Sequence, residues 1–273
     1  MELNLQKHHI DNIKQKGYSK IENFFNNEIL RALDNEWTNI VNLALKSHVR
    51  KLESGSGRAK NVGQILPKAD VYKKNGAYDL WKAHYILIHT EIGKSIIDRL
   101  IPLIRKINPN LVYMKDRIMN QGPYTKGHKP HQDTASGRQG FFEKYTTGEI
   151  YTVYISMTDT HEDNGCLWLE DLEQRRVARL GYCDTGCVAN NECHCTNWVY
   201  TKIDIENYNG HKMIPIKQNI GDAVIFDGYA LHGTAKNITN ETRKTLLFMF
   251  AVPRPEYKDK DQFWKHTYLH YGT

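Results

Sequence analysis

The sequence predicts an α+β protein in which helices come first and an antiparallel β core follows. Two observations predict this order. Before residue 110, apolar residues recur at three- and four-residue steps in two stretches, as the buried face of a helix requires. After residue 110 the chain consists of short runs rich in β-branched and aromatic residues, separated by Gly, Asn and Asp. Many short strands without helices between them favour an antiparallel sandwich or barrel over parallel βαβ units.

The helical part is expected over residues 1–109. One helix is predicted in NNEILRALDNEWTNIVNLAL, with Asn26 or Asn27 as its N-terminal cap. Its apolar face would consist of Leu30, Leu33, Trp37, Ile40, Val41 and Ala44. A second helix is predicted in TEIGKSIIDRLIPLIRKI, and Pro102 should end or bend it.

The β core is expected over residues 110–253. Its strands are predicted in the segments LVYMKDRIM, EIYTVYISMTDT, GCLWLEDL, HKMIPIKQ, DAVIFDGYALHG and KTLLFMFAV. A cysteine-rich insertion occupies 181–198, and a tail follows at 254–273. Since there is no repeat, low-complexity tract or linker, the chain is expected to be a single domain over 1–273.

Composition limits the function classes. Hydrophobic residues make up 40% and charged residues 25%, as in an ordinary protein with a proper core. The net charge is +6, but no long basic run exists, so a nucleic-acid partner is not expected. A mildly basic surface suits a small anionic substrate. No stretch resembles a signal peptide or a membrane span, so we expect a cytoplasmic protein without a membrane partner.

The decapeptide HKPHQDTASG suggests a metal site. His131 and Asp133 are two residues apart, and on a β scaffold side chains at that spacing point the same way. His128 is an odd number of residues from both, so it is interpreted as a loop histidine that could stand near the substrate. His232, at the end of an apolar strand, could supply a third ligand. Two histidines and one carboxylate on one face of an ion are typical of ferrous sites that activate oxygen.

Arg243 follows His232 by eleven residues and begins the strand RKTLLFMFAV. A fixed cation inside a β core needs an anionic partner. Arginine binds a carboxylate through two parallel hydrogen bonds, so the sequence indicates a carboxylate-bearing ligand beside the metal.

These motifs together resemble the phytanoyl-CoA dioxygenase family of iron(II)/2-oxoglutarate oxygenases. The resemblance rests on HQD, then DNGCL with a Gly-Asp turn, then LHGTAKNITNETRK. The opening KGYSKIENFFNNEILRAL is also similar to the family's usual start, a short strand and then a helix. The resemblance covers residues from about 10 to about 253. It implies a double-stranded β-helix, a cupin-like jelly roll, with the N-terminal helices packed outside.

The resemblance also implies roles for individual residues. His131, Asp133 and His232 would be the iron ligands. Arg243 would bind the distal carboxylate of 2-oxoglutarate, assisted by the Thr234 hydroxyl. Tyr154 matches an aromatic residue that some members place beside the co-substrate. The cofactor set is then Fe(II), with 2-oxoglutarate and O2 as co-substrates and ascorbate as a candidate reductant.

The implied reaction is oxidation of an unactivated C–H bond, with release of succinate and CO2. It could end in hydroxylation, desaturation or oxidative cyclisation, whereas Asp133 argues against halogenation. The expected substrate is a small, acidic metabolite, such as an amino-acid derivative or a specialised metabolite. The alternatives are an oxygenase acting on an acyl-CoA, a non-catalytic cupin-like binding protein and a zinc hydrolase. The chain is expected to be a monomer or a homodimer.

Two further groups of residues are candidates for binding. After DNGCL the chain departs from the family and reads WLEDLEQRRVARLGY, which suggests a substrate region of its own. Candidate substrate-binding residues are Arg138, Arg175, Arg176 and Arg179. Four cysteines crowd into CDTGCVANNECHC and could hold a structural zinc, although plain thiols are the alternative. These cysteines are Cys183, Cys187, Cys193 and Cys195.

Overall fold

A computed structural model describes residues 3, 5–53, 68–74, 77–134, 145–177, 205–208 and 210–257 of the chain. Side chains are described in the same ranges, apart from 47–53, 68–74, 77–79, 81 and 207. The helices are α1 (Lys7–Lys16), α2 (Asn27–Glu53) and α3 (Glu91–Ile104). No helix in the described ranges is both long enough and apolar enough to cross a membrane.

Twelve strands form two antiparallel sheets in the described part of the chain. The larger sheet has the order β1-β10-β6-β12-β4-β3-β2. Its strands are β1 (Tyr18–Ile21), β2 (Lys68–Lys74), β3 (Ala77–His84), β4 (Val112–Gln121), β6 (Thr146–Ser156), β10 (Ala223–Asp227) and β12 (Arg243–Pro253). The smaller sheet has the order β5-β11-β7-β9-β8. Its strands are β5 (His128–His131), β7 (Leu167–Glu170), β8 (Asn207–Tyr208), β9 (His211–Ile216) and β11 (His232–Thr234).

The larger sheet separates two apolar layers, because successive side chains of a strand point to opposite faces. On β12, Leu246 and Phe248 join the helices in the main core. Leu247 lies on the other face and packs against a second cluster that includes Tyr154 and Phe226. That second layer also contains Leu167 and Leu169 of the smaller sheet, so it fills the space between the two sheets.

The two predicted helices form as α2 and α3. The Asn26 side chain accepts a hydrogen bond from the Ile29 backbone at 2.9 Å and caps α2. The buried face of α2 consists of Leu30, Leu33, Trp37, Ile40 and Ala44, as predicted, and Val41 is half-buried. Pro102 lies inside the last turn of α3, and the helix ends two residues later.

The prediction of a helical part over residues 1–109 was incomplete. Strands β2 and β3 lie in this part and extend the edge of the larger sheet through β4. Lys74 pairs with Ala77, so the dipeptide Asn75-Gly76 joins the two strands. An Asn-Gly pair between strand-forming residues is a strong hairpin signal, and the sequence therefore contained the information.

Candidate active site

Two strands of the smaller sheet bring the predicted metal ligands together. His131 ends β5, His232 begins β11, and the two residues are directly opposite in the antiparallel register. The Nε2 atoms of His131 and His232 lie 3.8 and 3.9 Å from the same carboxylate oxygen, Oδ1 of Asp133. One candidate ligand atom from each residue lies within 4.8 Å of the others. Two ligands of one ion with bonds of about 2.1 Å are up to ~4.2 Å apart, so the arrangement fits a metal ion.

Backbone contacts orient both histidines. His131 Nδ1 lies 2.7 Å from the carbonyl oxygen of Lys129, and His232 Nδ1 lies 2.9 Å from that of Ala230. A carbonyl can only accept, so each Nδ1 carries the proton and each Nε2 keeps its lone pair. Both lone pairs are therefore available on the side of Asp133. Such outer contacts fix the tautomer and ring orientation of a metal-binding histidine.

Asp133 is fixed through its second oxygen. The Thr152 hydroxyl of β6 donates to Asp133 Oδ2 at 2.9 Å, which leaves Oδ1 facing the histidines. The neighbouring Thr134 binds the carbonyl oxygen of Gly228 through its backbone nitrogen and its hydroxyl, at 3.0 and 2.8 Å. The turn that carries Asp133 is thus tied to both sheets.

Burial and charge shift the pKa values of His131 and Asp133. Burial, assisted by the neighbouring His232, lowers the pKa of His131 to about 3. Burial alone would raise the pKa of Asp133. The neighbouring His232 and His131 lower it by more than burial raises it, so the pKa lies below its usual value. A neutral imidazole and an ionised carboxylate are the states that bind a divalent transition-metal ion.

His128 also faces this site, and its interpretation as a loop histidine was wrong. It begins β5 and pairs with Thr234, whereas His131 pairs with His232. The two paired residues are three positions apart on β5 but only two apart on β11, so β5 contains a β-bulge. The extra residue reverses the alternation, so that His128 and His131 line one cavity.

Arg243 begins β12 and is 1% exposed. Its Nη1 donates to the Tyr154 hydroxyl and its Nη2 to the Gln121 side-chain oxygen. Its Nε has no hydrogen-bond partner, and no carboxylate in the described ranges forms an ion pair with it. A buried guanidinium held only by neutral groups retains donors and a full charge for an anionic ligand.

Thr234 and Tyr154, the other two predicted co-substrate residues, are both buried. Both line the cavity with the metal-site residues and Arg243. The Thr234 hydroxyl accepts a hydrogen bond from the His128 backbone at 2.8 Å and keeps its own proton to donate. Tyr154 contacts Arg243 directly and so lies next to the expected carboxylate.

The cavity has polar and apolar walls and encloses about 470 Å³, part of it open to solvent. Its apolar wall consists of Met119, Leu167, Phe226, Leu247 and Met249. One more charged residue, Arg117 of β4, lines it. A cavity that combines a few polar groups with an apolar wall is typical of a small-molecule site.

The predicted substrate arginines that are described lie outside this cavity lining. Arg175 forms an ion pair with Asp227, and Arg176 forms one with Glu170 at 2.9 Å. Arg138 and Arg179 lie outside the described residues, as does the proposed zinc cluster Cys183, Cys187, Cys193 and Cys195.

Sequence reasoning missed three residues that build the site. Thr152, Gln121 and Arg117 all lie on the cavity side of the larger sheet. Thr152 and Arg117 are ordinary polar residues within predicted strands, and Gln121 lies two residues beyond the predicted segment LVYMKDRIM. The only available signal was alternation along LVYMKDRIM, which places Arg117 and Met119 on one face. Their partners depend on the pairing of strands far apart in the chain.

Comparison with solved structures gives the same fold. AviO1 from Streptomyces viridochromogenes Tue57 matches with a TM-score of 0.57 and 14% identity over 93% of this chain and 97% of that one. The non-heme alpha-ketoglutarate-dependent carbocyclase SnoK from nogalamycin biosynthesis matches with a TM-score of 0.57 and 14% identity, covering 91% and 84%. EctD from S. alaskensis with bound iron matches with a TM-score of 0.59 and 11% identity, covering 91% and 77%. A sequence search of curated proteins gave no significant match.

Fold and site together define a class of protein. An antiparallel β core in which two histidines and an aspartate converge is typical of non-haem ferrous oxygenases. The chain belongs to the phytanoyl-CoA dioxygenase (PhyH) family, whose model matches residues 13–245. It is accordingly an iron- and 2-oxoglutarate-dependent oxygenase, and the predicted jelly-roll fold is confirmed.

Proposed function

We propose that this enzyme oxidises an unactivated C–H bond of a small, acidic metabolite. In this proposal His131, Asp133 and His232 hold the iron, and Arg243 binds the distal carboxylate of 2-oxoglutarate. Iron(II) with 2-oxoglutarate and O2 would supply the oxidant that takes a hydrogen atom from the substrate, with release of succinate and CO2. The chain's own residues bind, orient and shield the reactants.

One observation carries the assignment of the co-substrate site. Arg243 is buried, has no described carboxylate partner and lines the same cavity as the three candidate metal ligands. A buried cation that lacks a permanent counter-ion is costly unless a ligand supplies one. A dicarboxylate that reaches from the metal ligands to Arg243 meets that need, and 2-oxoglutarate is such a molecule.

Each contact of Arg243 has a role in this arrangement. Tyr154 and Gln121 accept hydrogen bonds from the two terminal nitrogens and hold the guanidinium plane in place. The remaining N–H groups, including Nε–H, can then bind a carboxylate through two hydrogen bonds. The Thr234 hydroxyl can donate a third. Because these donors are fixed before the ligand arrives, little ordering is needed on binding.

The substrate class follows from the cavity. Its apolar wall suits a carbon skeleton, and Arg117 adds a positive charge that favours an acidic molecule. Structural neighbours include a carbocyclase and an epimerase from nogalamycin biosynthesis, both alpha-ketoglutarate dependent, which supports a metabolic rather than a macromolecular substrate. Hydroxylation, desaturation and ring closure all begin with the same hydrogen abstraction, so product analysis decides between them.

Ferrous iron and 2-oxoglutarate test the proposal directly. Added together without oxygen, they should give a weak visible charge-transfer band. Asp133→Ala should abolish the band, and Arg243→Ala should raise the concentration of 2-oxoglutarate needed to form it. Absence of the band in the wild-type enzyme would contradict the proposal.

A substrate screen completes the test. Succinate release is measured across amino-acid derivatives, other small acids and acyl-CoA thioesters, and products are identified by mass. Oxidation of a small acid supports the proposal, whereas oxidation of acyl-CoA alone favours the alternative substrate. Cytoplasmic location, use of ascorbate, a structural zinc and a monomeric or dimeric state remain predictions.

A further inference from the structure

Arg117 is a second cation on the wall of the active-site cavity. It lies on the interior face of β4, opposite Leu247 of β12 and His84 of β3. It lines the cavity together with Met119 and Met249. Unlike Arg243, it is only half-buried, so its end can contact a ligand that enters from solvent.

The hydrogen bonding of Arg117 leaves its terminal nitrogens available. Its Nε donates a hydrogen bond to Nδ1 of His84 at 3.4 Å, and this bond does not neutralise the charge of the guanidinium group. No carboxylate in the described part of the chain forms an ion pair with it. Its two terminal nitrogens are the fork with which arginine binds carboxylates and phosphates.

Arg117 and Arg243 extend from well-separated positions on the cavity wall. Gln121 is the residue opposite Arg243, and it follows Arg117 by four positions on one strand. Four residues of a β-strand span about 13 Å. The charge of Arg117 nevertheless reaches the metal site, since it adds to the effect of burial in lowering the pKa of His131.

The charges of the complete site do not balance without another anion. With both bound, iron(II) and 2-oxoglutarate cancel each other in formal charge. Among the described residues that line the cavity, Asp133 is the one carboxylate, and it stands against two arginines, Arg117 and Arg243. The charge of Arg117 is then left over beside an apolar wall, where an uncompensated cation is unfavourable.

We infer that Arg117 binds an anionic group of the substrate, a carboxylate or a phosphate, and so places the substrate's carbon skeleton against the apolar wall near the metal ligands. The inference rests on the proposed function and adds the residue that selects the substrate. A single anionic group is the shared chemistry, since the guanidinium fork matches either acid.

The experiment measures binding of small acids to the enzyme loaded with Fe(II) and 2-oxoglutarate under argon. Equilibrium dialysis compares carboxylic acids with their primary amides, and phosphate monoesters with their parent alcohols. In the wild-type enzyme one type of acid should bind roughly tenfold or more tightly than its neutral partner, as expected for a charge-assisted contact. If carboxylic acids show this preference, the substrate's anionic group is a carboxylate, and if phosphate monoesters show it, the group is a phosphate.

The variants assign that preference to a residue. Arg117→Gln should abolish it, and Arg117→Lys should retain part of it. Arg31→Gln removes the same charge from the exposed face of α2 and should leave the preference unchanged. The charge-transfer band should still form in Arg117→Gln, and the 2-oxoglutarate concentration that it needs should rise far less than in Arg243→Ala.

Several outcomes would overturn the inference. The first is that the wild type binds acids and their neutral partners equally, or binds neither. The second is an acid preference that persists in Arg117→Gln. The third is a loss of 2-oxoglutarate binding in Arg117→Gln that is as severe as in Arg243→Ala. Failure of the proposed function appears separately, because the wild-type band would then be missing altogether.

Discussion

At the scale of single residues, the site depends on groups that fix the ligands as much as on the ligands. The two carboxylate oxygens of Asp133 make different contacts. Oδ1 faces the two histidines, and Oδ2 accepts a hydrogen bond from the Thr152 hydroxyl. Removal of such an outer hydrogen bond leaves the ligand set intact but lets the carboxylate rotate.

We therefore predict that Thr152→Val weakens metal binding by roughly ten- to hundredfold while the fold is retained. Titration of the metal-free protein with Co(II), followed by visible absorption, measures the affinity. Thr245→Val is the matched control. Thr245 lies on β12 and is buried like Thr152, but its hydroxyl has no hydrogen-bond partner among the described residues. Equal affinities of Thr152→Val and the wild type would contradict the role given to Thr152.

A second prediction concerns Tyr154, whose hydroxyl accepts a hydrogen bond from Arg243. Tyr154→Phe removes that acceptor and leaves a guanidinium N–H unsatisfied. A hydrogen bond to a charged group contributes about 1.5–3 kcal/mol, so 2-oxoglutarate should bind at least roughly tenfold more weakly. The charge-transfer band measures this affinity, and metal binding should not change. An unaltered 2-oxoglutarate affinity would mean that Gln121 alone positions Arg243.

At the scale of elements, the bulged pairing of β5 with β11 decides which side chains enter the cavity. Simple alternation along HKPHQD selected His131 and Asp133, and the structure places both beside His232. It failed for His128, because a bulge depends on the partner strand, about a hundred residues away in the sequence. Residue type and spacing are local information, whereas register is set by pairing.

Gly127 immediately precedes β5 and allows β11 to approach closely. A Cβ atom at this position would lie 1.9 Å from the Thr234 carbonyl oxygen and 2.4 Å from that of Ala235. Because both contacts are backbone atoms, the strands would have to separate. We predict that Gly127→Ala lowers the free energy of unfolding by at least about 3 kcal/mol and weakens metal binding as well.

Gly210→Ala is the matched control for this prediction. Gly210 has a positive φ of 80°, but a Cβ there would meet nothing within 4 Å. Its cost is limited to backbone strain, of order 1 kcal/mol. Urea denaturation of both variants makes the comparison, and similar losses of stability would show that close packing at Gly127 is unimportant.

At the scale of the whole molecule, the sequence predicted the composition of the site better than its surroundings. The four residues His131, Asp133, His232 and Arg243 were identified from spacing and from the family resemblance, and the structure brings all four to one cavity. Arg117 was not identified, because a lone arginine in a strand has no distinctive pattern. Its significance emerges only when charges from β4, β5 and β12 are counted together.

Two buried histidines also link the site to global stability. Burial, with the charges of Lys82 and Arg117, holds the pKa of His128 well below its usual value, and burial with His232 lowers that of His131 to about 3. In the unfolded chain both should titrate near pH 6.5. Between about pH 6 and pH 4 the unfolded state therefore binds a proton at His131 that the folded state does not, and His128 acts in the same direction, so stability falls as pH falls.

The last prediction is the size of this dependence. Each histidine contributes a slope of about 1.4 kcal/mol per pH unit, so the pair should contribute up to ~2.7 kcal/mol per unit in the metal-free protein. Urea denaturation at a series of pH values measures it. His128→Gln should reduce the slope by up to ~1.4 kcal/mol per unit, because it removes one of the two histidines whose pKa is lowered in the folded state. A slope unaffected by His128→Gln would show that His128 binds its proton equally well in the folded state.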